Sequence, residues 1–225
     1  MTSADDDVPA WQRKTAGESR IVATLAVVCM VALQVALPRE FRMDPWWPLP
    51  TLELLLLIIL FAANPVRINH QSDLLRALGL VLTGLLGLAN VWSAALLVDG
   101  LLTGVLSNQP AKLLGSGGSI WITNVLVFAL LYWEFDRGGP AARAHARKLL
   151  PDFLFAQMQN PDLTRPDWEP EFTDYLYLAF TNATAFSPTD VMPMSRWAKL
   201  SMMLQSATSL VLAALVIARA INVLK

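Results

Sequence analysis

The stretch EFTDYLYLAFTNATAFSPTD, residues 171–190, decides the fold. Its apolar part, residues 171–186, is rich in aromatic side chains but also carries polar ones, among them Asp174, Thr181, Asn182 and Thr184. A helix of that length reaches only about 24 Å, whereas the hydrocarbon core is about 30 Å thick. The segment is therefore predicted to enter the membrane and turn back. Because bent backbone at membrane depth needs protein or water as hydrogen-bond partner, the SPTD turn predicts a cavity, a pore or a shallow position at the membrane edge.

Composition indicates an all-α integral membrane protein. Of the 225 residues, 55% are hydrophobic and only 16% are charged, and the mean hydropathy is +0.46. The apolar residues form five long blocks: 21–38, 51–66, 74–97, 119–135 and 197–224. These blocks are too long to be core elements of a soluble domain of this size. The prediction is five transmembrane helices plus a short re-entrant pore-type helix before the last one. The alternative is six transmembrane helices, in which residues 171–189 cross fully.

Several classes of function are disfavoured by what the sequence contains. With a single cysteine, Cys29, the chain cannot form an internal disulfide, and its two histidines, His70 and His145, do not suggest a metal site. A formal net charge of -1 does not favour nucleic-acid binding. No nucleotide loop, nucleophile motif or acid–base pair is visible, so no cofactor, no metal and no enzymatic activity are predicted.

The chain divides into three predicted parts. Residues 1–20 are a mobile polar tail, 21–106 form an N-terminal three-helix membrane part, and 119–225 form a second module. Because the third apolar run is long, a break is expected near Asp99 and Gly100, followed by the flexible link NQPAKLLGSGGS.

Within the second module, residues 136–170 are predicted to be an amphipathic and coiled link. Its basic sequence AARAHARKLL suits a short helix on the headgroups, with Phe153 and Phe155 as membrane anchors. Tyr132 and Trp133 are predicted to mark a membrane interface.

One face of the third helix carries small and polar residues: Gly79, Thr83, Gly87 and Asn90. They recur every three or four residues, so they stack along one side of a helix. Small residues allow a second helix to approach closely, and an asparagine can bond across the contact. Helix packing is the preferred interpretation of this face, and a ligand site is the alternative.

Residues 174–224, DYLYLAFTNATAFSPTDVMPMSRWAKLSMMLQSATSLVLAALVIARAINVL, resemble the pore module of two-helix potassium channels. The shared pattern is an aromatic pore helix, a threonine-rich turn that ends in an aspartate, and an inner helix. Aligned in this way, Thr184 matches a filter threonine, Asp190 matches the closing aspartate and residues 119–135 match the outer helix. The same C-terminal pattern, with YWEFDRGGP upstream, resembles an uncharacterised bacterial membrane-protein family related to such channels. The resemblance covers about the last quarter of the chain.

The sequence departs from the channel pattern where the potassium filter would be. Ser187, Pro188 and Thr189 replace Gly-Tyr-Gly. Glycine permits the backbone angles that align the filter carbonyls, whereas proline fixes φ near about -65° and β-branched Thr189 strongly resists a positive φ. Selective potassium conduction is therefore not implied. What remains is a wider opening for monovalent cations, lined by Thr181, Asn182, Thr184, Ser187 and Thr189, with Asp190 at its mouth. Inner-helix candidates for the cavity, with packing as the alternative, are Gln205, Ser206, Ser209 and Ala213.

One segment per chain cannot close a pore, so the resemblance implies a homo-oligomer, four copies by analogy. It also suggests a bacterial cytoplasmic membrane, with the lipid bilayer as surroundings. The first functional hypothesis is a channel-like protein with a degenerate filter. The second is a non-conducting scaffold or partner-binding subunit that retains the pore-loop fold. A transporter is disfavoured because Glu53 and Arg219 lie near span ends, where they are expected to snorkel.

Charge asymmetry provides an independent indication of orientation. With five crossings, one side carries Arg13, Lys14, Arg20, Arg67, Arg76, Arg137, Arg143, Arg147, Lys148 and Arg165, and the opposite links carry only Arg39, Arg42 and Lys112. The positive-inside rule then puts residues 136–170 in the cytoplasm. A potassium-channel topology needs that link outside. Either residues 171–189 cross fully, or acidic neighbours in the long link weaken the signal.

Overall fold

The computed structural model describes residues 8–70, 72–103, 109–185 and 190–223, apart from the side chains of residues 110, 185 and 218–223. Its α-helices are α1 (Ile21–Ala36), α2 (Pro48–Ala63), α3 (Asp73–Thr103), α4 (Pro110–Phe135), α5 (Pro140–Ala144), α6 (Ala156–Gln159), α7 (Phe172–Ala185) and α8 (Arg196–Val223). Single 3₁₀ turns lie at Ala10–Gln12, Arg39–Phe41, Asp136–Gly138 and Pro161–Leu163. Two short strands, β1 (Phe153–Leu154) and β2 (Met192–Pro193), pair antiparallel.

The chain is mostly helical and membrane-embedded, as the composition predicts. Within the described part, three stretches are long and apolar enough to cross a bilayer: Asp73–Thr103, Ala111–Ala144 and Arg196–Ile217. Helices α1 and α2 are apolar but have only 16 residues each. A helix of 16 residues is about 24 Å long, so these two are short for a perpendicular crossing.

The expected break at Asp99 and Gly100 is wrong, because α3 runs unbroken through both residues. Packing explains the helix here: a β-carbon on Gly100 would lie 3.2 Å from Cε1 of Phe41, and Leu97 and Leu101 are buried in the same cluster as Phe41. The glycine permits close approach of the turn at Phe41.

The predicted flexible link is also largely helical, because α4 begins at Pro110. A β-carbon on Gly117 would lie only 2.6 Å from Cγ2 of Val216, so this glycine lets α4 and α8 meet closely. The hydroxyl of Ser116 donates to the carbonyl of Lys112 within the helix. Gly117 therefore serves helix–helix packing, whereas Gly115 and Gly118 have nothing within 4 Å of a β-carbon.

A polar layer, here called the cap, joins residues 8–20, 64–70 and 136–171 at one end of the helices. The Thr15 amide donates to the carbonyl of Ala144, and the Ile68 amide donates to that of Glu18. The side chain of Arg67 donates to the carbonyl of Gly17 at 2.7 Å. The prediction of a mobile tail is therefore wrong for residues 8–20. Residues 1–7 lie outside the described part.

The interior of the cap is aromatic. Phe153 and Phe155, expected to anchor the chain in lipid, are buried, and the rings of Phe155 and Tyr175 meet at 5.4 Å. Tyr132 and Trp133, expected at a membrane interface, are buried as well. Of the expected headgroup segment, residues 141–150, only the first half lies in a helix, the largely buried α5, whereas residues 145 and 147–150 are exposed. The prediction of lipid contact is wrong for the aromatic residues, because they lie in the apolar interior of the cap.

Helix α7 starts in the cap and runs along α4, where the rings of Phe180 and Trp121 meet at 6.0 Å. After the undescribed residues 186–189, the chain is back in the cap, because Met192 pairs with Leu154 across the β1–β2 ladder. The Met194 amide also donates to the carbonyl of Asp152 at 2.8 Å. Both ends of this excursion therefore contact the same layer.

Candidate functional site

The C-terminal part of α7 is held by a buried amide, Asn182. Its side chain is only 2% exposed, and its Nδ2 donates to the carbonyl of Met202 at 3.0 Å and to Oε1 of Gln205 at 2.8 Å. The hydroxyl of Ser206 donates back to Oδ1 of Asn182 at 3.1 Å. All three partners lie on α8, so one side chain fixes the distance between the two helices.

Gln205 extends this contact to a third helix. Its Nε2 donates to the carbonyl of Ala179 on α7 at 2.8 Å, and its Oε1 accepts a 2.7 Å bond from the hydroxyl of Tyr132 on α4. Gln205 and Tyr132 are both fully buried. Tyr132, Asn182, Gln205 and Ser206 form one hydrogen-bonded group, here called the α7 clasp. Buried polar groups with partners specify one arrangement of the helices around them.

A second buried polar chain lies further along α8. The side chain of Asn124 on α4 donates to the hydroxyl of Ser209 at 3.2 Å, and Asn90 on α3 donates to Oδ1 of Asn124 at 3.4 Å. Ser209 is fully buried, and the last inner-helix candidate, Ala213, is half-buried. In the single chain, Gln205 and Ser209 therefore contact other helices of the same bundle.

The four residues of the α3 face lie inside the bundle. A β-carbon on Gly87 would lie 3.5 Å from Val127, and one on Gly79 would lie 2.9 Å from Oε1 of Glu134, both on α4. Thr83 and Asn90 are buried. The sequence did not single out Asn124, which bridges Asn90 to α8; its position inside an apolar block was the available signal.

The opposite face of α7 is uncovered. Tyr177 and Phe180 are each 50% exposed, Thr184 is exposed and Thr181 is half-buried. The Thr181 hydroxyl donates to the carbonyl of Tyr177, and that of Thr184 donates to the carbonyl of Phe180, both at 2.9 Å. Their lone pairs consequently remain available as acceptors. Asp190 is exposed, and the predicted filter residues Ser187, Pro188 and Thr189 lie outside the described residues.

A buried ion pair fixes the start of α7 to the cap. One carboxylate oxygen of Glu18 accepts a 2.8 Å bond from Arg143, and the other accepts a 3.0 Å bond from the Phe172 amide. Arg143 also donates to the carbonyls of Trp133 and Asp136. Burial raises the pKa of Glu18 above its ordinary value, and the charge of Arg143 opposes that shift.

Asp136 makes a further link between the cap and α7. Its Oδ2 accepts a 2.6 Å bond from the hydroxyl of Tyr175, and its Oδ1 accepts from the amide of Asp152 at 2.8 Å. Sequence reasoning missed these cap residues because charged side chains in a tail and a link ordinarily face solvent. Glu18 and Arg143 are 125 positions apart, so no local pattern connects them.

Glu53 is a second missed residue. The side chain expected to snorkel is fully buried on α2, and both carboxylate oxygens are without a hydrogen-bond partner in the structure. A buried unpartnered carboxylate is costly unless it carries a proton. Within the described ranges, no group of three or more His, Cys, Asp or Glu residues is arranged to hold a metal ion.

Comparison of the chain with protein-family models, with curated proteins and with solved structures finds no match. The α7 clasp, the uncovered face of α7 and the cap are therefore the observations from which a function is inferred.

Proposed function

We propose that this protein is a membrane subunit with five crossings, α1 to α4 and α8, and with α7 as a re-entrant helix. The path of α7 supports this, because Phe172 bonds to Glu18 in the cap and Met192 pairs with Leu154 in the cap. The 14 described residues of α7, about 21 Å, are also fewer than the 16 residues of α1 or α2. Phe180 on α7 contacts Trp121, which lies 14 residues, or about 21 Å, before the end of α4. Helix α7 therefore extends well into the helical layer, the part of the fold formed by the long apolar helices.

We assign the cap to the cytoplasmic face of a bacterial membrane. The N-terminal tail, the α2–α3 link and residues 136–171 meet in the cap, and these segments carry most of the basic residues of the links. Helix α7 then enters from the cytoplasmic side. That differs from the topology implied by the potassium-channel resemblance.

The activity proposed is cation conduction of low selectivity by an oligomer, four copies by analogy. The single observation that carries it is the uncovered row on α7, Tyr177, Thr181 and Thr184, which recurs at helical spacing and presents hydroxyl acceptors. Copies that meet through this face would line a path with these oxygens and with Asp190. Asn182, Gln205 and Ser209 are then positioning residues, because they bond within one chain.

A second candidate is the non-conducting scaffold or partner-binding subunit. The observation that favours it is the apolar character of the uncovered side of α8, where Leu200, Met203, Leu204 and Val211 are each more than half exposed. With Gln205 and Ser209 turned inward, that surface suits lipid or a partner helix better than water. In this case the clasp serves only to hold the fold.

Flux measurement separates the two candidates. The purified protein is reconstituted in liposomes, its copy number is determined in nanodiscs, and K⁺ and Na⁺ efflux are followed. If the protein conducts cations, Asp190→Asn and Thr184→Val should each change the flux. The control Asp162→Asn, at an exposed position of the cap, should leave the flux unchanged. Absence of flux from a folded oligomer would reject conduction in favour of the scaffold.

Thiol labelling tests the path of α7 separately. Single cysteines replace Thr173, Met194 or His145, all exposed, in a Cys29→Ser background. A re-entrant α7 predicts that an impermeant reagent labels all three from the same side of the membrane. Labelling of positions 173 and 194 from opposite sides would establish six crossings.

A further inference from the structure

A cleft opens where α1, α3 and α4 meet the cap, on the far side of α4 from the α7 clasp. It is a partly open cleft lined by three charged side chains, Arg20, Arg76 and Glu134. His70, Ser72 and the Gly138–Gly139 turn complete its polar wall. Arg20 immediately precedes α1, Arg76 lies in the first turn of α3 and Glu134 in the last turn of α4. The cleft is therefore at the boundary between the helical layer and the cap.

The charged groups of this cleft are not paired with one another. Among the described residues, no ion pair within 4.0 Å and no side-chain hydrogen bond is formed by Arg20, Arg76 or Glu134. Arg20 is nevertheless only 8% exposed. A guanidinium without a protein partner has donors left for an anion, and its fork geometry suits phosphate oxygens. Two arginines against one glutamate leave the cleft net positive.

Two glycines keep the polar part of the cleft open. A β-carbon on Gly139 would lie 2.9 Å from Nη1 of Arg76 and 3.6 Å from Oε2 of Glu134. A β-carbon on Gly79 would lie 2.9 Å from Oε1 of Glu134. Side chains at these positions would displace the charged groups, so the backbone leaves the space in which they converge.

An apolar groove continues from this cleft along the helices. It is shallow, and five residues line both spaces: Arg20, Leu60, Gly79, Trp133 and Glu134. Beyond the shared residues, its walls are mostly aliphatic: Ala23, Val27, Leu57, Leu82 and Leu130. These residues belong to α1, α2, α3 and α4, so the groove runs into the helical layer. A charged cleft at the boundary and an apolar groove below it have the polarity of a lipid molecule.

We propose that the cleft and groove bind an anionic phospholipid. The phosphate lies between Arg20 and Arg76, and an acyl chain starts at the mouth of the groove, beside Thr24 and Leu60. Basic pockets between membrane helices are suited to anionic headgroups. A headgroup that also carries hydroxyls, such as glycerol, donates to the otherwise unpartnered carboxylate of Glu134 and fits better than choline. This site is separate from the exposed face of α7 and does not depend on conduction.

Native mass spectrometry of the purified full chain in detergent tests the proposal by titration with phosphatidylglycerol, phosphatidylcholine and glycerol 3-phosphate. The expected result is retention of phosphatidylglycerol in preference to the other two. At about 1 kcal/mol per basic residue, Arg76→Gln should weaken that binding about fivefold, and Arg20→Gln should do likewise. The matched control is Arg147→Gln, an exposed cap arginine outside both spaces.

Three results would overturn the assignment. Equal retention of phosphatidylglycerol and phosphatidylcholine would show that the site does not recognise an anionic headgroup. Equal affinity for phosphatidylglycerol and glycerol 3-phosphate would show a free-phosphate site that binds no acyl chain. A loss of binding in Arg147→Gln as large as in Arg76→Gln would show general surface attraction. Because Arg76 is half-buried on the first turn of α3, its variant carries the test even if Arg20→Gln fails to fold.

Discussion

Replacing Gln205 by leucine tests whether the α7 clasp holds the short helix in place. The change removes three hydrogen bonds, to Tyr132, Asn182 and the carbonyl of Ala179. Asn182 keeps its bond to Met202, whereas the fully buried hydroxyl of Tyr132 loses its acceptor. An orphaned buried polar group costs about 1–3 kcal/mol, and side-chain bonds inside membrane proteins average about 0.6 kcal/mol. We expect Gln205→Leu to lower the free energy of unfolding by about 2 kcal/mol.

A double-mutant cycle identifies the cause of that loss. Tyr132→Phe alone should cost about 1 kcal/mol, and the double variant should cost about 1 kcal/mol less than the sum, because no hydroxyl is then left unpaired. The control is Thr208→Val on α8, whose hydroxyl donates only to the carbonyl of Leu204 in its own helix. The assay is reversible unfolding in mixed micelles. Additive single effects, or a control as unstable as Gln205→Leu, would refute the clasp as a structural unit.

Three further changes test other parts of the fold by the same unfolding assay. Gly117→Ala should lower the free energy of unfolding by about 1–3 kcal/mol, because the added methyl group would lie 2.6 Å from Val216. Gly118→Ala should not lower it, because nothing lies within 4 Å of that position. Equal effects of the two variants would contradict the close α4–α8 contact. Arg143→Met should cost about 3–5 kcal/mol by leaving a buried carboxylate unpaired, and a loss below about 1 kcal/mol would contradict that pairing. Glu53→Gln should leave stability unchanged or raise it, since no hydrogen bond is lost; a large loss would reveal a partner for the carboxylate.

The sequence predicts a mostly helical, membrane-embedded chain because apolar block length is a local property. The block at residues 119–135 lies in α4, the described part of the block at 197–224 lies in α8, and the short aromatic segment contains the 14-residue α7. What it cannot predict depends on distant partners. Gly100 suggested a break, yet Phe41 packs against it and the helix continues.

The cap shows the same limit for charged residues. A glutamate in a polar tail is ordinarily solvated, and the sequence around Glu18 does not indicate that it pairs with the distant Arg143. The aromatic residues of the long link were interpreted as membrane anchors for a similar reason. An apolar side chain in a link has two possible destinations, lipid or a protein interior, and local sequence does not distinguish them.

Helical geometry limits what the threonine-rich end of α7 can do. Successive residues of a helix are about 100° apart, so Thr181 and Thr184 share a side, whereas Asn182 lies about 200° from Thr184. The filter alignment treated these residues as neighbours along one path, which requires extended or irregular backbone; residues 172–185 are helical instead. Since the Asn182 side chain bonds to α8, the hydroxyls of Thr181 and Thr184 are turned away from that helix. Any conduction along α7 must therefore use that single hydroxyl row, with the clasp acting as its support.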